Sequence, residues 1–273
     1  MSRYSKFLIC KRKYFYDYYL KFDEEIAQKK IKFLKNLTSK PLEIGNIVHD
    51  IIKNILRRYK ININPINKDK FLKYSFEITK KSCKNKFFFE HYYNGEVILI
   101  HEIYEKISYI LENFLNSPSF AWIKEVAISN SNKWIIEPIN CKSKIDDYTI
   151  FCKVDFLFPI SDKIYIIDWK TGKPDKKHNK QLTGYALWAN CYFNNKAANI
   201  IPIVVYLYPK YNAKSIIFDE FSVVEFKKTI EIETNNMYKY LINIEKNIPK
   251  SKKEFQLTNN RFFCKFCNYK EIC

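Results

Sequence analysis

Glycine is scarce, with 4 in 273 residues, and no Gly- or Pro-rich linker interrupts the chain. Internal repeats and low-complexity tracts are absent too, which favours one continuous fold over a string of modules. No apolar run approaches the roughly 18 residues that a membrane-spanning helix needs. The opening Met-Ser-Arg-Tyr-Ser-Lys lacks the apolar stretch and cleavage site of a secretory signal, so a reducing, cytoplasmic setting is expected. There, 8 cysteines do not read as a disulfide framework. A phosphate-binding Gly-x4-Gly-Lys-Ser/Thr loop is missing as well.

Acidic residues are also in deficit. Lys and Arg number 47 against 29 Asp and Glu, giving a net charge of +18 and a pI near 9.3. Such a balance carries self-repulsion unless an anion is bound. Nucleic acid is the first candidate partner and an acidic membrane surface the second. Lysine far outnumbers arginine, as an AT-rich genome also produces, so part of this charge carries no function.

The apolar content, 47%, suffices for a sizeable core. Aromatic spacing predicts a helix over 4–21, followed by an irregular charged connection at 22–42. Ile47, Val48, Ile51, Ile52, Ile55 and Leu56 form one stripe and predict an amphipathic helix over 44–59, with further helices over 68–90 and 97–116. The pattern then turns β-branched and aromatic, predicting strands over 122–129, 133–139, 148–158 and 163–169. A helix over 178–193, strands over 200–208 and 214–219 and a helix over 221–246 complete the expected α/β order.

The expected strand at 163–169 runs into Asp168-Trp169-Lys170-Thr171-Gly172. Residues two apart on a strand share a face, so Asp168 and Lys170 emerge together. Asp155 is the acid within the preceding apolar strand, and hairpin pairing of the two strands brings it beside Asp168. Two converging carboxylates offer the hard oxygen ligands that Mg²⁺ or Mn²⁺ takes. The plain alternative is an ordinary ion pair at a strand end. On the next helix Gln181 and Tyr185 lie four apart on one face, as Gly45 and His49 do upstream.

Gly45/His49, Asp155, Asp168/Lys170 and Gln181/Tyr185, in this order, resemble the RecB-like branch of the PD-(D/E)XK nucleases. The opening Ser5-Lys6-Phe7-Leu8-Ile9-Cys10-Lys11 also resembles that branch's N-terminal signature. Cys264-x2-Cys267-x5-Cys273 with Cys10 completes a one-plus-three set similar to iron–sulfur nucleases of the AddB kind and to CRISPR-associated single-domain exonucleases. Cys152 and Lys11 stand where the family often has Gly and Pro. The resemblance leaves residues 60–120 and 210–255 without a family signal.

The resemblance implies a restriction-endonuclease-like core (helix, three- or four-strand meander, helix, strand) with added terminal helices. It implies a single domain over 1–273: an N-terminal segment 1–43, a core 44–210 with a helical insertion at about 60–120, and a C-terminal helix and cysteine segment 211–273. The implied activity is phosphodiester hydrolysis in DNA, most simply by an exonuclease acting on single-stranded or end-processed DNA in repair, recombination or CRISPR-type processing, with a helicase as possible partner. His49, Asp155 and Asp168 would hold Mg²⁺ or Mn²⁺, with the Trp169 carbonyl as a further ligand. Lys170 would stabilise charge at the phosphate, and Gln181 and Tyr185 would position water, Lys170 or the substrate strand. The four cysteines accept either Zn²⁺ or a cluster; the one-plus-three split and the resemblance favour [4Fe–4S] pinning the two ends together. Cys83, Cys141, Cys152 and Cys191 read as small core residues. Aromatic residues of the first helix divide between core packing and stacking on single-stranded DNA. Two competing readings are an inactive DNA-binding or scaffolding subunit, and an RNA-directed nuclease.

Overall fold

The structure is a computed structural model and describes residues 3–138 and 142–273. Helices come first: α1 (Arg3–Ile9), α2 (Lys11–Tyr19), α3 (Gln28–Lys35), α4 (Lys40–Tyr59), α5 (Lys68–Cys83), α6 (Phe89–Asn94), α7 (Ile100–Leu115) and α8 (Pro118–Glu125). Strands β1 (Ile135–Ile136), β2 (Lys142–Ile145), β3 (Tyr148–Phe151), β4 (Phe156–Ile160) and β5 (Lys163–Lys170) precede α9 (Lys177–Phe193). Then come β6 (Ile200–Tyr206), β7 (Asn212–Ser215), α10 (Glu220–Tyr238) and the short hairpin of β8 (Leu241–Asn243) with β9 (Ile248–Pro249). Among the described residues no helix is long and apolar enough to cross a membrane.

The chain forms two compact units. One comprises the described residues up to Ser39, with Lys86–Val97 and Lys228–Cys273; the other comprises Lys40–Asn85 and Ile98–Lys227. The second unit holds a mixed α/β core: a five-stranded sheet in the order β1-β4-β5-β6-β7. β4 and β5 pair antiparallel, whereas β5 and β6 run parallel and are joined through α9. β5, at the centre, is buried from Ile166 through Trp169, as expected of a strand covered on both faces. On α4, Ile47, Val48, Ile51, Ile52, Ile55 and Leu56 are all buried. Each such side chain contributes about 1.5–3 kcal/mol of burial.

The first unit closes the chain ends around aromatic rings. Phe7, Tyr14, Phe15, Tyr16 and Tyr19 from the N-terminal helices share a core with Phe255 and Tyr269 from the far end. Polar ties accompany them: Tyr269 OH donates to Asp17 Oδ1 at 2.7 Å, Tyr16 OH to the Ile272 carbonyl at 3.1 Å, and Arg12 Nε to the Phe255 carbonyl at 3.0 Å. Core packing therefore takes most aromatics of this region, and of those on α2 only Tyr18, 38% exposed, is left on the surface.

Several sequence expectations change. The expected helix over 4–21 breaks at Cys10, whose φ of −162° and ψ of 116° are extended and whose Sγ accepts the Lys13 N–H to cap α2. The connection at 22–42 contains α3. The expected helix over 68–90 is α5 followed, beyond a break, by the start of α6. Residues 122–129 are not a strand: Ser117 caps α8 by accepting the Phe120 N–H at 3.1 Å, and Pro118 opens the helix. The strand expected over 133–139 is reduced to β1, and its last residue, like Cys141, lies outside the described residues. The strand expected over 148–158 is two: β3 pairs with β2 in a separate hairpin, and β4 enters the main sheet. The last long helix ends at Tyr238. Cys83 is buried as expected, but Cys152 and Cys191 are only half-buried.

Candidate active site

The register of β4 with β5 pairs Phe156 with Ile167, which sets Asp155, one residue before β4, next to Asp168. Its carboxylate is fixed from two sides. Oδ2 accepts the Trp169 N–H at 2.9 Å, and Oδ1 lies 3.2 Å from His49 Nδ1. His49 comes from α4, one turn beyond Gly45. A Cβ at Gly45 would stand 3.3 Å from Thr171 Oγ1, so glycine lets α4 approach the chain leaving β5. That approach brings the imidazole to Asp155.

Asp168, 2% exposed, and Lys170 share a face of β5, with Lys170 Nζ 2.5 Å from Asp168 Oδ2. Lys170 also donates to Gln181 Oε1 at 2.8 Å, and Gln181 Nε2 donates to Tyr185 OH at 2.7 Å. One turn of α9 thus presents two side chains that hold the ammonium in place. His49, Asp155, Asp168, Lys170, Gln181 and Tyr185 are all brought to this end of the sheet.

Two neighbours were not anticipated. Glu137, just past β1, lies with His49 and Asp155 so that one donor atom from each falls within 4.8 Å of the others; among the described residues this is the only such group. Asp168 is not part of it. Glu137 has φ 39°, a costly conformation for a non-glycine residue. It is held there by its N–H donating to the Asp155 carbonyl at 3.1 Å and by Lys53 and Lys153, whose Nζ atoms lie 3.2 and 3.3 Å from Oε2. His178, three residues before Gln181, meets Tyr206 OH at 3.0 Å. Its spacing from Gln181 on one helix face was the signal available in the sequence; Glu137 offered none beyond an acid after two isoleucines.

The electrostatics follow from crowding. Burial, then the Asp155 charge, pushes the Asp168 carboxyl up to about 6 despite Lys170. Burial pulls His49 down, but Asp155 and Asp168 outweigh it and its pKa is raised. Burial, then Lys170, lowers His178 to about 4. Burial raises the Tyr185 phenol, which stays protonated. A carboxyl whose folded pKa is raised is worth most to the fold below its unfolded value, near 4, and that stability is lost as pH rises through about 6. Asp168→Asn should therefore stabilise the metal-free protein at pH 7.5 by about 1–3 kcal/mol, and by little at pH 3.5. Urea titration at both pH values checks this; equal effects at both would refute the electrostatic cause.

A cavity of about 580 Å³ lined by Tyr59, Phe71, Leu72 and Phe120 lies elsewhere and holds none of these groups. In the other unit, burial pushes the Cys273 thiol up to about 12, with Cys267, Cys10 and Cys264 adding to the rise. Cys267 is raised by burial and by Cys10 and Cys264 as well. The four thiols therefore lie within one another's electrostatic reach, although no three sulfurs come within 4.8 Å of one another.

A paired strand-end Asp-x-Lys, a second acid in register and a helix carrying Gln and Tyr make up the site, and a family profile of the PD-(D/E)XK nuclease superfamily matches residues 1–273. The chain belongs to that superfamily. Its members are hydrolases that cut nucleic acid with divalent metals, and the His49, Glu137 and Asp155 group is suited to such an ion. No curated protein matches the chain significantly.

Proposed function

We propose that this PD-(D/E)XK nuclease hydrolyses phosphodiester bonds in DNA, acting on single-stranded or end-processed substrate as an exonuclease. The observation that carries the reading is the continuous chain Asp168–Lys170–Gln181–Tyr185 beside the His49/Glu137/Asp155 donor group. A nucleic-acid-binding scaffold has no use for a buried carboxylate pushed up to about 6.

Two carboxylates and an imidazole form a donor set that fits Mn²⁺ at least as well as Mg²⁺, because imidazole is a poor match for Mg²⁺. His49, Glu137 and Asp155 would hold the ion, with Asp168 adjoining. Once bound, it supplies positive charge that makes a water more acidic and neutralises charge growing on the phosphate. The remaining work falls to the chain. Lys170 stabilises charge on the scissile phosphate, and its position is set by Gln181, which Tyr185 in turn holds. The Trp169 N–H keeps the Asp155 carboxylate aimed at His49. Lys53 and Lys153 balance Glu137 until the ion arrives.

Because His49 must be neutral to bind metal and its pKa is raised, Mn²⁺ affinity should climb with pH through the neutral range. Glu137→Gln should weaken Mn²⁺ binding by about tenfold or more, loss of a charged ligand costing at least ~1.4 kcal/mol. Isothermal titration at pH 6.5 and 8 tests both statements. Unchanged affinity in Glu137→Gln would remove this residue from the metal site.

The four thiols are proposed to hold a [4Fe–4S] cluster. Four cysteines suit either cluster or zinc. Their one-plus-three split along the chain favours the cluster, whose part would be to order the joined ends.

A further inference from the structure

Exposed rings gather on the cysteine segment of the first unit. Phe262, Phe263 and Phe266 are 60%, 41% and 66% exposed on the 3-10 turn Arg261–Phe266. The ring centroid of Phe262 lies 6.2 Å from that of Phe263 and 5.9 Å from that of Phe266, both pairs edge-to-face. The core of this unit is already filled by Phe255, Tyr269 and the rings of α1 and α2, so these three are not completing it. Arg261 and Lys265 alternate with them and are also exposed, and no acid occurs between Phe255 and Lys270.

We propose that Phe262, Phe263 and Phe266, with Arg261 and Lys265, form a stacking platform for the unpaired bases of single-stranded nucleic acid. Every base offers a π-face to a phenyl ring, and the interleaved cations meet the phosphates between bases. An apolar protein partner would use the rings but leave the two cations without a counterpart. A chain of net charge +18 favours the anionic polymer. Cys264 stands between Phe263 and Lys265, and Cys267 follows Phe266. Whatever group these thiols hold therefore fixes the spacing of the rings. The inference rests on the DNA nuclease reading for its substrate class, but it concerns binding and not cleavage.

The test uses the full chain as purified, without added divalent cation, and measures fluorescence anisotropy with labelled oligothymidylate and with a duplex of equal length. Phe262→Ala and Phe266→Ala should each weaken oligothymidylate binding at least about fivefold, with duplex affinity nearly unchanged. The slope of log affinity against log salt should stay the same in these variants and become shallower in Arg261→Ala/Lys265→Ala. Metal content and circular dichroism matching the wild type show that the variants are folded. Oligothymidylate binding at wild-type strength in the folded Phe262→Ala/Phe266→Ala protein would overturn the proposal, as would an equal loss for duplex. Unchanged DNA binding with reduced self-association in light scattering would assign the rings to a contact between copies and likewise overturn it. If the wild type lacks Mn²⁺-dependent cleavage while phenyl-dependent binding persists, the nuclease reading fails and the platform stands.

Discussion

Lys170→Ala is expected to slow Mn²⁺-dependent cleavage by about a thousandfold or more, while DNA affinity changes little. The size follows from preorganisation. The ammonium is held 2.5 Å from Asp168 and 2.8 Å from Gln181, on a side chain only 17% exposed. A charge fixed in that way stabilises the transition state without reorganising at the moment of reaction. Lys170→Arg should not restore the rate, because a planar fork does not reproduce the single point of contact with Gln181. Gln181→Ala should lose less, about tenfold to a hundredfold, since it acts through Lys170. Single-turnover kinetics on end-labelled DNA separate these effects from binding. Turnover near wild type in Lys170→Ala would show the catalytic charge to lie elsewhere.

Cys10→Ala should bleach the protein as thoroughly as Cys267→Ala. Anaerobically prepared wild type should be brown, with broad visible absorption and iron and sulfide in near-equal amounts. The two cysteines come from opposite ends of the chain, yet Cys10 contributes to the raised pKa of both Cys267 and Cys273. Removing any one thiolate opens the same set of four. The fold of the first unit should survive, because Tyr269 OH to Asp17 and the ring core around Phe255 join the ends independently of the thiols. Increased proteolysis should then be confined to the cysteine segment. Colour that survives Cys10→Ala would exclude it as a ligand. Stoichiometric zinc in the natively purified protein would replace the cluster and keep the four donors.

The grouping of the candidate residues was legible where they sat on regular elements. The period of two placed Asp168 and Lys170 on one face, strand pairing set Asp155 against Asp168, and the period of helices paired Gln181 with Tyr185. Glu137 was not legible. It reaches Asp155 across the β2–β3 hairpin, from the end of a two-residue strand, in a backbone conformation that nothing in Ile-Ile-Glu-Pro announces. The α8 segment was misread because its β-branched and aromatic residues outweighed the Ser117-Pro118 start signal lying just outside the window. Cys10 broke the first helix for a similar reason: a single capping residue decides the break, while the surrounding ring periodicity continues through it. The joined ends were expected, but from thiols; the aromatic core that joins them depends on pairings between residues more than 200 apart, which local patterns do not encode.

The most direct test of the central claim is cleavage of end-labelled single- and double-stranded DNA by anaerobically purified protein across a Mn²⁺ titration, with a chelator control. The nuclease reading predicts that products appear only with the metal, accumulate from the ends of the labelled strand, and vanish in Lys170→Ala. Intact substrate at every Mn²⁺ and Mg²⁺ concentration, from protein that binds the same DNA, would contradict it.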